Sequence, residues 1–204
     1  MTQAGLPRLV VFTGSTRRPS KSGALGQAIA AVAQGQAELT VEHYDIVDAG
    51  PGLGAAFTRK ALTPEALRVV EAVEQADALI AVSPVYKGSY AGLFKHLFDF
   101  VDPDALAHKP VVVGATGGGH RHALIVEHQL RPLFGFFSAL VVPTSVYASD
   151  HEFSDGAVVD AGVLDRIGLA GTQLAAQLRG TPRPAATLVA PDFAQTRPAR
   201  TAVG

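Results

Sequence analysis

Short, unbroken apolar runs that stop in loops of glycine, proline and hydroxyl residues constrain this chain more than any other feature. Leu9-Val10-Val11-Phe12-Thr13 shows no polar alternation, the pattern of a strand covered on both faces. It stops at Gly14-Ser15, after which Leu25, Ala28, Ile29 and Val32 recur at helical spacing. Residues 39–46 read as a second strand, with Leu39, Val41 and His43 alternating with polar residues. Gly50-Pro51-Gly52-Leu53-Gly54 is expected to be loop, because glycine disfavours regular elements. Thr63-Pro64-Glu65 opens the next helix, with Thr63 as N-cap and Pro64 at the first helical position. Residues 78–82 form a third buried strand that Ser83-Pro84 should stop, and Leu93, Phe94, Leu97, Phe98 and Val101 make one helix face. Residues 111–115 are the fourth strand and run into Thr116-Gly117-Gly118-Gly119. A long helix to about residue 138, a fifth strand within residues 140–146 and a last helix over about residues 163–178 follow. Five strands alternating with five helices predict an α/β fold, a doubly wound parallel sheet with helices on both faces.

Length and composition narrow the class. The 204 residues suit one domain over residues 1–180, followed by a Pro/Ala-rich tail over 181–204 that lacks periodicity. With 17 Lys+Arg against 18 Asp+Glu, the net charge of −1 argues against nucleic-acid binding through a broad basic face. It argues equally against an acidic electron carrier steered by net charge. Zero Cys removes disulfides, thiolate nucleophiles, iron–sulfur clusters and Cys-based zinc sites, and fits a reducing cytoplasm. No apolar run reaches ~18 residues and no basic start precedes one, so neither membrane spanning nor a signal peptide is expected.

Doubly wound sheets bind ligands beyond the carboxyl ends of their strands. After strand one stand Gly14-Ser15-Thr16-Arg17-Arg18-Pro19-Ser20-Lys21-Ser22, four hydroxyls and three cations directly before a helix. Free N–H groups and the helix dipole favour an anion there. Pro19 stands where a Walker loop needs its second Gly, and G-x-G-x-x-G is absent from this turn, so neither nucleotide motif applies. The bland alternative is a solvated loop with Ser22 as a helix cap. After strand three, Ser83-Pro84-Val85-Tyr86-Lys87-Gly88-Ser89-Tyr90-Ala91-Gly92 can offer backbone groups and an aromatic ring to a flat ligand. Otherwise it is an ordinary connection with Tyr86 as a lid over the core. After strand four, Thr116-Gly117-Gly118-Gly119 lets backbone approach a ligand, and its N–H groups can stabilise charge on a bound ring.

Taken together, residues 14–22, residues 83–95 and Ala115-Thr116-Gly117-Gly118 resemble the flavodoxin-like NAD(P)H-dependent FMN reductases. Residues 85–152 are most similar to the FMN reductases of alkanesulfonate and methanesulfonate utilisation. The resemblance implies a five-stranded sheet in the order 2-1-3-4-5. It implies that Ser15, Arg17, Ser20 and Ser22 surround the FMN 5′-phosphate. It further implies that Pro84, Val85, Tyr86, Lys87 and Ser89 border the ribityl chain and isoalloxazine, with Thr116, Gly117, Gly118 and Gly119 at the pyrimidine end. Many relatives carry Asn where Lys87 stands, so a backbone contact is expected there. The implied reaction is hydride transfer from NADH or NADPH to FMN, with reduced flavin passed to a flavin-dependent monooxygenase of sulfonate desulfonation. A quinone, azo or chromate reductase with tightly held FMN is the runner-up. A flavodoxin-like electron carrier and a flavin-free regulatory module are the rivals from other classes.

Of the seven His, His120 and His122 lie two apart and His128 six further on, so no pair shares a helix face and no metal is expected. Around His128, Val126, Leu130, Leu133, Phe134 and Phe137 hold one helix face, whereas Leu124 lies off it. Pro132 also deprives the His128 carbonyl of its helical partner. Either a plain proline kink, which the residues alone slightly favour, or an extra residue forming a π-bulge answers both. In the alkanesulfonate reductases a Tyr inserted in this helix forms such a bulge at the subunit interface, and the match implies His128 at that position. His128 is therefore expected to act in flavin exchange at an interface, within a homo-oligomer (dimer or tetramer).

Overall fold

A computed structural model of the chain describes residues 5–180, so the tail expected at 181–204 lies outside the described residues. The strands are β1 (Arg8–Thr13), β2 (Thr40–Asp45), β3 (Ala78–Tyr86), the short β4 (Ser89–Tyr90), β5 (Pro110–Gly117), β6 (Leu140–Val141) and β7 (Val146–Ser149). They lie in the order β2-β1-β3-β5-β6, all parallel; β4 turns back antiparallel on β3, and β7 pairs with β5 beyond β6. A two-stranded hairpin, β8 (Phe153–Ser154) and β9 (Ala157–Val158), stands apart. The helices are α1 (Lys21–Gln34), α2 (Ile46–Ala49), α3 (Pro51–Ala55), α4 (Pro64–Gln75), α5 (Gly92–Phe98), α6 (Arg131–Phe136) and α7 (Ala161–Gly180).

The continuous apolar runs follow from this layering. Leu9, Val11, Ile80 and Val82 pack under α1 and α7, while Val10, Phe12, Leu79 and Ala81 pack under α4 and α5. A strand buried on both faces has no polar side to show. Thr63 caps α4 through the Ala66 N–H with Pro64 in the first turn, as its residues predict.

Four local expectations need correction. Residues 50–54 are not loop: Pro51–Ala55 is a helical turn. Gly52 serves close packing, since a Cβ there would lie 2.2 Å from Thr63 Cγ2, and Leu53 is fully buried. Secondly, Pro84 does not end β3. It stays in register opposite Thr116, and the strand continues into a hairpin whose two-residue turn, Lys87-Gly88, has positive φ at both positions (52° and 83°). Thirdly, the fifth strand position is shared by β6 and β7. Pro143 lies in the break, and Arg131 donates to the carbonyls of Val142 (3.0 Å) and Pro143 (3.2 Å).

Lastly, the long helix is broken into a 3-10 turn (His120–His122), a π-helical turn (Val126–Leu130) and α6. The Arg131 N–H reaches back five residues to the Val126 carbonyl, so the π-bulge, and not the plain kink, is present. Pro132 then falls in the first turn of α6, where its missing N–H is not required. The extra residue keeps Val126, Leu130, Phe134 and Phe137 buried together and leaves Leu124 63% exposed. Glu127 accepts from Arg131 (2.6 and 3.1 Å) and from the Ser145 hydroxyl; the bond from the guanidinium holds its carboxyl below the usual range.

Candidate active site

The chain runs from β1 out to β2 and returns to β3 on the other side of β1, which opens a crevice at their carboxyl ends. Its first wall is the loop of residues 14–22. The Gly14 N–H donates to the Val82 carbonyl (2.8 Å), fixing where the loop leaves the sheet. The buried Ser15 hydroxyl accepts from the Arg17 N–H (3.2 Å) and donates to the Arg17 carbonyl (3.0 Å), closing a tight turn. Ser20, in extended conformation, caps α1 by accepting from the Gly23 N–H at 3.0 Å. Ser22 is therefore not the cap; it is buried and shares a 2.7 Å hydrogen bond with Thr116, tying the first loop to the third.

The three cations of this loop have different fates. Arg18 donates to both oxygens of Asp45 (2.6 and 2.8 Å) and pairs with Asp48, and those bonds raise its already high pKa. Lys21 pairs with Asp150 at 2.8 Å and lies 5.5 Å from the Phe153 ring centroid. Arg17 is exposed and, among the described residues, forms no ion pair with a carboxylate. One guanidinium is thus left beside the N-terminus of α1 for an incoming anion.

A cleft of about 340 Å³ gathers most of the residues singled out from sequence. Ser15, Arg17, Ser20 and Ser22 line it together with Pro84, Val85, Tyr86, Thr116, Gly117 and Gly118. Tyr86 is 46% exposed, so it borders the cleft and does not cover the core. Lys87 and Gly119 line an adjoining cavity instead, and the Ser89 hydroxyl is turned to the Gln129 amide oxygen of the π turn. His128 is exposed on that turn and outside the cleft lining.

Two residues escaped sequence reasoning. Asp150 lines the cleft opposite Lys21, and Tyr147 donates from its hydroxyl to the Gly119 carbonyl at 2.6 Å. Burial, with Glu152 and Asp150 nearby, raises the Tyr147 pKa, so the phenol stays a donor. Neither carried a signal, because both depend on where β7 follows the break in the fifth strand position. Tyr147 also explains Gly117: a Cβ there would meet its Oη at 2.6 Å, whereas Cβ atoms on Gly118 or Gly119 would meet nothing within 4 Å. The glycine wall is therefore open backbone on one side and closely backed on the other. Hydroxyls, one uncommitted arginine and a helix N-terminus suit a phosphate, and a peptide wall beside Tyr86 suits a flat ring with polar edges. FMN has both parts.

Over residues 7–154 the sequence matches the family described as NADPH-dependent FMN reductase. It is 44% identical over 174 residues to the NADH-dependent FMN reductase SfnF of Pseudomonas fluorescens, covering 85% of this chain and 92% of that protein. It is 42% identical over 168 residues to the FMN reductase (NADPH) of Pseudomonas aeruginosa, covering 82% and 90%. The solved apo form of the NADH:FMN oxidoreductase EMOB superposes with a TM-score of 0.76 at 27% identity, over 87% of this chain and 92% of that one.

Proposed function

The chain belongs to the NADPH-dependent FMN reductase family, and from that premise we propose that it reduces FMN with NADH or NADPH and releases the product to a separate flavin-dependent monooxygenase of sulfonate desulfonation. The observation that carries the reading is the cleft in which Arg17, without a carboxylate partner, and the hydroxyl loop face the Thr116–Gly117–Gly118 backbone wall. FMN and the nicotinamide supply the hydride chemistry. The chain's own part is to bind and orient. Arg17, Ser15, Ser20 and Ser22 hold the 5′-phosphate. Val85, Tyr86 and Gly117 border the ring, and N–H groups of residues 116–119 face the charge at its pyrimidine edge. No side chain is assigned as acid or base. The same reading places the enzyme in the cytoplasm.

Purified protein mixed with NADH or NADPH, with and without added FMN, tests the reading. Either dinucleotide should be oxidised in stoichiometric excess over enzyme only when FMN is supplied. Oxidation that needs a quinone, with FMN retained on the protein, would point to the quinone-reductase alternative. Protein that carries flavin but oxidises neither dinucleotide would instead be an electron carrier. Arg17→Ala should weaken FMN binding by roughly ten- to a hundredfold, the worth of one charge-assisted phosphate contact. Unchanged affinity in a fluorescence titration removes Arg17 from the site.

We also infer a homo-oligomer, a dimer or tetramer, that uses the surface around the π turn. Leu124 (63%), Phe136 (69%) and Leu140 (43%) are exposed on the segments that flank it, and such apolar surface would be covered by a second copy. A monomer by light scattering at micromolar concentration ends that idea. Within it, His128 governs flavin exchange more than reduction. Deleting His128 should restore α-helical spacing, slow FMN release and leave a first reduction intact. Release and oligomer size equal to the parent's would detach the π turn from function.

A further inference from the structure

The flavin cleft shares Val85 and Gly118 with a neighbouring cavity of about 760 Å³. The rest of that cavity's wall carries two cations, Lys87 and Arg121, beside two histidines and the backbone of Gly88 and Gly119. Lys87 comes from the β3–β4 turn, and His120, Arg121 and His122 come from the 3-10 turn after the glycine run. Both flanks are built. The Lys87-Gly88 turn is braced from the π helix, where Gln129 takes the Ser89 hydroxyl and donates to the Gly88 carbonyl (3.5 Å). Across from it, Arg121 donates through Nε to His122 Nε2 at 3.2 Å. His120 faces Glu152 at 3.7 Å. Among the described residues, neither Lys87 nor Arg121 forms an ion pair. Two cations line one space that meets the cleft at Val85 and Gly118, which favours an anion between them.

We propose that this cavity takes the diphosphate of the reduced nicotinamide dinucleotide, gripped by the Arg121 fork and by Lys87. The proposal rests on the reductase reading and names the subsite for its second substrate. A nicotinamide reaching a flavin ring bordered by Val85 and Gly118 would approach from those residues, and its diphosphate would stand one ribose further on. The cationic cavity begins at those same two residues. The cavity on the other flank, about 750 Å³, suits this less well: it adjoins the phosphate end of the cleft, and its Arg18 is neutralised by Asp45 and Asp48. NADH and NADPH both carry the diphosphate, so the grip assists either donor.

Arg121 is exposed, so Arg121→Ala should fold, and unchanged FMN affinity will confirm it. The variant should raise KM for NADH and for NADPH by about tenfold each while kcat holds, the pattern of a lost uniform binding contact. Arg121→Lys should recover part of the loss. Titration calorimetry with ADP-ribose, which has the diphosphate but no nicotinamide, should show the same weakening without any turnover. Unchanged KM values and unchanged ADP-ribose binding overturn the proposal. A rise confined to NADPH also overturns it, by moving the contact to the 2′-phosphate. Wild-type protein that binds ADP-ribose through Arg121 but oxidises neither dinucleotide would sink the reductase reading and leave the diphosphate site standing.

Discussion

Gly117→Ala is expected to weaken FMN binding by about a hundredfold, an effect of roughly 2–3 kcal/mol from overpacking a rigid wall. The added Cβ lies 2.6 Å from Tyr147 Oη, while the next atoms, Val85 Cβ and Tyr147 Cζ, are at 3.4 and 3.5 Å. Tyr147 cannot swing away cheaply. The residue is 9% exposed and its hydroxyl is committed to the Gly119 carbonyl. Either that bond breaks and the glycine wall loosens, or Gly117 moves into the cleft; both spoil the surface against which the flavin ring would lie. Because the tight contact is with one oxygen, removing the oxygen should help. In a Tyr147→Phe background, Gly117→Ala should cost much less than it does alone, a non-additivity that fluorescence titration of all four proteins will measure. Additive losses would mean that Gly117 acts through backbone freedom and not through Tyr147.

Phe94→Ala should remove about 3–5 kcal/mol of folding stability, a large share of the roughly 5–15 kcal/mol typical of a domain. Phe94 is fully buried on α5, stacked on Phe12 at 5.6 Å and tilted against Phe98 at 5.0 Å. Tyr90, from the hairpin that borders the cleft, lies 6.1 Å away. The truncation leaves a cavity between β1 and α5 that neither element can close, since both are pinned by sheet and helix hydrogen bonds. The Cβ survives the change, and it is this atom that a side chain at Gly14 would strike at 2.9 Å. The start of the loop after β1 therefore keeps its closest contact with α5. Denaturation midpoints should fall sharply while FMN affinity, measured well below the transition, changes far less. A stability loss under about 1 kcal/mol would show that the aromatic cluster repacks around the gap.

Burial on both faces left an unmistakable mark in the chain, and the parallel sheet was legible from it. Leu9 to Phe12 and Leu79 to Val82 have no polar residue because no side of those strands meets water. The loops after β1, β3 and β5 were legible for a related reason: short hydroxyl, glycine and proline segments between apolar runs must lie at the strand ends. What stayed hidden depends on contacts across the sequence. Pro51–Ala55 is helical, and Gly52 stands there because Thr63 leaves no room for a Cβ, which glycine content alone cannot announce. The π turn was one of two answers to Pro132, and packing of Val126 and Leu130 with Phe134 chose between them. That Arg17 is, among the described residues, the cation of its loop without a carboxylate depended on Asp45, Asp48 and Asp150, which lie far along the chain from Arg18 and Lys21. So the residues along the chain determined the layered sheet and which loops border the cleft, because solvent exclusion acts on each segment by itself. Only the tertiary structure decided which charges in those loops are committed, because charge pairing and close backbone contact join segments that no local pattern connects.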